Sequence, residues 1–236
     1  MSVSIVIGVL VVFAVAFIFI NRSAKRQEAE RAEEYRKAAA LRGWQMEFDG
    51  QEYRYSGSTE GVPWVAHVSH FRRRPGRNNT PRPLRWETAS VRFEEGALVI
   101  WPNFGKGMDT IRTPGVPQFV LDLAMRPVAW ALGASGDDAA MLGRATEMVE
   151  GPPQYLFRAT DAGRMRSWLD GGAAHVLEAE ARWLASQAAP HHLIIAVLWR
   201  YGLQIATPYG SNDFEQIERV TRVGVRLASA VRTERF

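Results

Sequence analysis

Gln51 to His70 reads QEYRYSGSTEGVPWVAHVSH, and this stretch decides the fold. Two runs rich in aromatic and β-branched side chains, Gln51–Ser56 and Val62–His70, flank the break Gly57–Gly61. Residues of those types favour a pleated, half-buried surface, and a short glycine-bearing break between two such runs signals a hairpin. Outward from it, Leu84–Phe93 and Ala97–Trp101 have the same composition, with Asp49-Gly50 and Glu94-Glu95-Gly96 as further turn signals. The region from Trp44 to Trp101 is therefore expected to form an antiparallel meander.

Helical periodicity takes over at Pro117–Leu132, where Gln118, Asp122 and Arg126 form a narrow polar stripe and Pro127 is expected to kink the helix. Asp137–Val149 reads as a second helix, with Ser135 or Asp137 as its cap. The C-terminal third reads β-α-α-β-β-α. Tyr155–Ala159 is a strand, and Thr160 or Asp161 caps a short helix that Gly171-Gly172 ends. Ala173–Gln187 is amphipathic, with His175, Glu178 and Arg182 on its polar side. His192–Leu198 and Leu203–Ala206 form a hairpin through Arg200-Tyr201-Gly202. Asp213–Val231 is the last helix, opened by a capping-box-like Asp213 and Gln216. The fold class is α+β with a mostly antiparallel sheet. Gly96–Gly105 resembles Gly202–Gly210; both read as a hairpin's second strand ending at Pro, which fits either a duplication or shared turn chemistry.

At the N-terminus no charged side chain occurs from Met1 to Asn21, and Val3–Ile20 is apolar apart from Ser4. At about 1.5 Å per residue such a helix covers the ~30 Å of a bilayer core. A cleaved signal would begin with a basic residue and end in small residues. This stretch begins Met1-Ser2-Val3-Ser4 and ends Phe17-Ile18-Phe19-Ile20, so an uncleaved, single-pass signal-anchor over residues 1–21 is expected. Arg22, Lys25 and Arg26 behind it place the N-terminus outside a cell (inner) membrane and the C-terminal domain in the cytoplasm. Residues 22–42 then form a helical stalk, with Arg26–Glu30 and Glu33–Lys37 as i,i+4 pairs. Ala32, Tyr35 and Ala39 share one face without a heptad, so the stalk either lifts the domain away or folds back along it. Residues 43–236 suffice for one α+β domain.

The chain is 47% hydrophobic with eight Trp, which excludes a disordered tail. Its net charge of +4 suggests an anionic partner, although all but three of its 29 basic residues are Arg, a bias that weakens arguments from Arg alone. The absence of Cys fits a reducing compartment without requiring one. The densest candidate is a basic loop of Arg72, Arg73, Arg74, Arg77, Arg82 and Arg85, between Phe71 and Trp86. It would suit anionic lipid headgroups or an acidic protein surface; nucleic acid is less favoured because no accompanying motif exists. A solvated hairpin loop is the plain alternative. The helix 117–132, with Phe119, Val120, Leu123 and Trp130 on an unusually wide apolar face, is either a core helix or a face for a membrane or partner.

Chemistry is poorly signalled. His67 and His70 are three apart on a strand and point to opposite faces, His191 and His192 diverge likewise, and Arg182 below His175 and Glu178 marks an ordinary surface. No third ligand and no Cys accompany them, so no metal site and no cofactor are expected. No G-x-S-x-G occurs, and Gly105-Lys106-Gly107 lacks a phosphate-loop frame. These features point first to a non-enzymatic, membrane-tethered interaction protein acting on a membrane or cytoplasmic protein partner: an accessory subunit, assembly factor or scaffold. The alternative is a binding or sensor module using the Arg loop. A third reading is an enzyme assembled from scattered residues such as Lys106, Asp109, His175 and His192.

Overall fold

A computed structural model describes residues 26–69, 84–103, 118–187, 193–207 and 213–232. Nine strands form a single antiparallel sheet: β1 (Gln45–Phe48), β2 (Glu52–Thr59), β3 (Val62–Ser69), β4 (Leu84–Thr88), β5 (Ala97–Pro102), β6 (Glu147–Val149), β7 (Tyr155–Ala159), β8 (Ile195–Trp199) and β9 (Gly202–Thr207). Their spatial order is β1-β2-β3-β4-β9-β8-β5-β7-β6. The expected meander holds from β2 to β4, but β4 and β5 are not neighbours. The β8–β9 hairpin sits between them, with Leu84 opposite Thr207 and Ala97 opposite Trp199.

Among the described residues helices pack on both faces of the sheet, in two separate clusters. Residues 26–40 form α1. Gln118–Ala131 is α2, Gly136–Gly143 is α3, Ala162–Trp168 is α4, Ala174–Ser186 is α5 and Phe214–Arg232 is α6. A π turn, Leu169–Ala173, joins α4 to α5, and Trp168 Nε1 donates to the Leu227 carbonyl at 3.0 Å, fixing this corner to α6. Alternation on β3 sends Val62, Trp64, Ala66 and Val68 to this helical face, where they join Trp86, Ile205, Ile217 and Leu227 in the main core. On the opposite face, Ala97, Val99, Trp101, Val197 and Trp199 pack against Met125, Val128, Leu132 and Leu142 of the α2–α3 pair and its connection. Among the described residues that second layer packs on β5, β7, β8 and β9 and touches β4 at its margin through Arg85 and Leu132.

The described part of the expected stalk folds back along the domain. Tyr35 of α1 packs edge-on against Tyr53 at 5.2 Å and against Phe214 at 5.8 Å, and Ala39 is fully buried. Arg42 then pairs with Glu218 and covers the Phe214 ring at 4.7 Å.

The membrane-anchored plan is corrected. Among the described residues no helix is long and apolar enough to cross a membrane. The physical reasons are plain: α2, the most apolar, has 14 residues with Pro127 inside it, and α6, with 19 residues, carries Glu215, Glu218, Arg219, Arg222 and Arg226. Residues 1–21, on which the anchor expectation rested, lie outside the described residues. The single-pass topology, the orientation argued from Arg22, Lys25 and Arg26, and the membrane localisation fall with it. A smaller correction concerns 137–149, expected as one helix. It ends at Gly143, because Glu147–Val149 is recruited as an edge strand on β7, where Val149 faces Phe157. Ser135 provides the cap, in a reciprocal capping box with Asp138.

Candidate functional site

The half of the second face left open by α2 and α3 carries polar side chains at alternate positions of neighbouring strands. Register places Glu52 and Arg54 of β2, His67 of β3, Arg85 and Glu87 of β4 and Gln204 of β9 on this one face. They form a ladder of hydrogen bonds and ion pairs across the strands. His67 Nδ1 lies 3.0 Å from Glu52 Oε2, and His67 Nε2 lies 3.5 Å from Glu87 Oε1. Gln204 Nε2 donates to Glu87 Oε2 at 2.9 Å. The indole Nε1–H of Trp199, which only donates, reaches Gln204 Oε1 at 3.1 Å. That contact settles the orientation of the amide and turns its NH2 group toward Glu87.

A neutral imidazole can donate from one nitrogen only, whereas His67 faces a carboxylate from both. The hydrogen bonds to Glu52 and Glu87 hold the imidazolium above the ordinary histidine range against the opposing effects of burial and of Arg85. Reciprocally, the bond to His67 holds both Glu52 and Glu87 below the ordinary carboxylate range despite their partial burial.

Arg85 ends the ladder on the other side. Its Nη2 lies 3.2 Å from Glu52 Oε1, and its Nη1 donates to the Leu132 carbonyl at 3.3 Å, satisfying an orphan carbonyl at the C-terminus of α2. The guanidinium lies over Gly133, whose φ of +70 closes that helix; a Cβ there would fall 1.7 Å from Arg85 Nη1.

Two clefts border the ladder. A smaller one of about 450 Å³ lies beside Glu52, Arg85, Trp130 and Gly133. The larger, about 890 Å³, has Glu87 and Gln204 in its floor and Pro63, Val65 and Tyr201 among its walls. Among the described residues Glu87 is the one charged residue lining this cleft, and its side chain is 41% exposed. A carboxylate offers about four lone-pair directions, so after His67 and Gln204 it retains acceptor capacity facing the open space. Nearby Arg200 is turned away, toward Asp138 at 3.0 Å and the Tyr201 hydroxyl at 2.7 Å.

No protein family, curated protein or solved structure matches this chain.

Of the residues singled out from sequence, Arg85 alone among the six loop arginines is described, and it belongs to β4 and the ladder. Arg72, Arg73, Arg74, Arg77 and Arg82 lie outside the described residues, as do Lys106, Asp109 and His192. His175 sits exposed on α5, remote in sequence and fold from the ladder's strands. On α2, Trp130 is 58% exposed, while Met125, Val128 and Ala129 are buried against the sheet. The side chains of Phe119, Val120 and Leu123 lie outside the description. Among the described residues no group of three or more metal-ligating side chains converges. The sequence reading missed Glu52, Glu87 and Gln204. The one available signal was the alternation of charged and aromatic residues in Leu84–Thr88 (LRWET), which puts Arg85 and Glu87 on a common face.

Proposed function

We propose that this domain is a non-catalytic binding module whose ligand occupies the cleft above Glu87 and Gln204. One observation carries the reading: an ionised, partly exposed carboxylate with acceptor capacity to spare stands beside an imidazole whose two nitrogens are both committed. General acid–base catalysis needs a group within reach that is free to give or take a proton at the substrate. Glu87 is equipped to hold a donor, and His67 is tied between Glu52 and Glu87. The cleft volume of about 890 Å³ falls in the range of small-ligand sites, roughly 300–1,000 Å³. This reading keeps the non-enzymatic character expected from sequence and moves the binding surface from the Arg72–Arg85 loop to the sheet face.

The test is a fragment screen followed by amide and indole NMR resonances. Compounds that bind should perturb Val65, Tyr201 and Gln204 together, and Glu87→Gln should weaken them. A screen in which no compound moves these three residues removes the proposal.

A further inference from the structure

The charge arrangement around the cleft specifies the chemistry of its ligand, given that the cleft is the ligand site proposed above. We propose that the cleft takes a small organic cation with one charged centre and an apolar body, in exchange for the proton that His67 presents to Glu87.

The argument starts from the lining. Among the described residues Glu87 is the only charged one there, and its apolar neighbours Pro63, Val65 and Tyr201 supply a surface for a hydrocarbon or aromatic body. One carboxylate matches one ammonium or amidinium group; a polyamine would leave its further charges without partners. Of the two nearby guanidinium groups among the described residues, Arg85 is engaged by Glu52 and Leu132, and Arg200 by Asp138 and Tyr201.

The groups facing His67 decide the coupling. From β2 come Glu52 and Arg54, the latter directly opposite His67 and 3.4 Å from Glu47; from β4 come Arg85 and Glu87. With His67 protonated, Glu52, Glu87, Arg85 and His67 sum to zero, and an incoming cation meets a like charge 3.5 Å behind its acceptor. Loss of the proton from His67 Nε2 leaves Nδ1–H bonded to Glu52 and frees Glu87 for the ligand. The exchange balances: one ligand cation enters, one proton leaves to solvent, and the ladder remains neutral overall. Proton and ligand therefore compete, so affinity rises with pH while His67 is protonated in the free protein and levels off above its pKa. The limiting slope is roughly tenfold per pH unit. Because the bonds to Glu52 and Glu87 raise the pKa of His67 above its ordinary 6.5, the rise extends above that pH.

Isothermal titration calorimetry on the purified full chain tests this with phenethylamine and its uncharged counterpart 2-phenylethanol. Titrations run at about pH 6 and about pH 8, in two buffers of different ionisation enthalpy. The expected result is phenethylamine binding that strengthens at least roughly fourfold at the higher pH and releases most of one proton at the lower. The alcohol should bind more weakly, without pH dependence. His67→Gln should abolish the proton release, and Glu87→Gln should abolish the preference for the amine; the wild-type buffer comparison stands if either variant fails to fold. Equal affinity for amine and alcohol, or amine binding without proton release, overturns the cation exchange while leaving the cleft as a binding site. Binding of neither compound overturns both.

Discussion

Gly224 of α6 lies against the indole of Trp86: a Cβ at Gly224 would come within 2.5 Å of Trp86 Cζ3. Trp86 is fully buried at the crossing of α6 over β4, so the ring has nowhere to retreat. Alanine in a helix interior gains about 1 kcal/mol over glycine, while overpacking a tight core costs about 1–3 kcal/mol. The clash wins at this separation. Gly224→Ala is expected to destabilise the domain by up to about 2 kcal/mol in urea unfolding, and a stabilised variant would show that the helix is free to shift.

Arg85 and Gly133 are predicted to be energetically coupled. Gly133→Ala forces a side chain into a positive φ, costing about 1–2 kcal/mol, and also drives the Arg85 guanidinium off the Leu132 carbonyl and Glu52. In an Arg85→Ala background the second penalty has already been incurred. A double-mutant cycle should therefore show the Gly133→Ala cost shrinking to its backbone component, whereas strict additivity would mean the two do not interact.

Stability should follow pH in two opposite ways through the ladder. His67 has a folded pKa above its ordinary value of 6.5, so its contribution is full below that value and is lost as pH rises through the folded pKa. Glu52 and Glu87 have folded pKa values below their ordinary 4.5, so theirs is full above that value and is lost as pH falls through the folded pKa. Denaturation midpoints measured across this range should be highest between about 4.5 and 6.5, as far as the ladder governs them. Glu52→Gln should bring the His67 titration, followed by NMR, down toward the ordinary value; an unmoved titration would remove Glu52 as its principal partner.

Glu180 of α5 and Arg219 of α6 form an ion pair whose side chains are only 6% and 10% exposed. Removing one partner of such a pair strands a buried charge, at a cost of about 3–5 kcal/mol. Glu180→Ala should approach that loss in chemical unfolding. The double change Glu180→Leu with Arg219→Met should be milder than the single, because no charge is left behind; the reverse order would show that the pair itself supplies the stability.

How much of this was legible in the sequence depends on whether the deciding contacts are local. The hairpin Gln51–His70 was legible because its turn and both strands are contiguous, and α2, α5 and α6 declared themselves by period. The strands β1 and β6, of four and three residues, carry too few positions for any pattern. The ladder was hidden for a different reason. His67 was judged beside His70, its sequence neighbour, yet its partners Glu52, Arg85 and Glu87 stand across strands, and Gln204 joins only because β9 pairs with β4. Arg85 looked like the end of a basic loop because no single-strand pattern reports a carbonyl arriving from α2.

The insertion of β8–β9 between β4 and β5 also governs how the chain assembles. Until residues 195–207 emerge from the ribosome, β4 and β5 can pair with β3 and β7 but each keeps one edge whose partner, β9 or β8, has yet to appear. Pairing Leu84 with Thr207 closes a very long loop, which makes the joining step slow and places it late. Before it, two apolar strand margins, one with Trp86 and one entirely core-forming in Ala97–Pro102, stand open to any other β-strand they meet. The hairpin is the keystone of the sheet, and a chain stopped short of it is expected to aggregate rather than persist as a smaller domain.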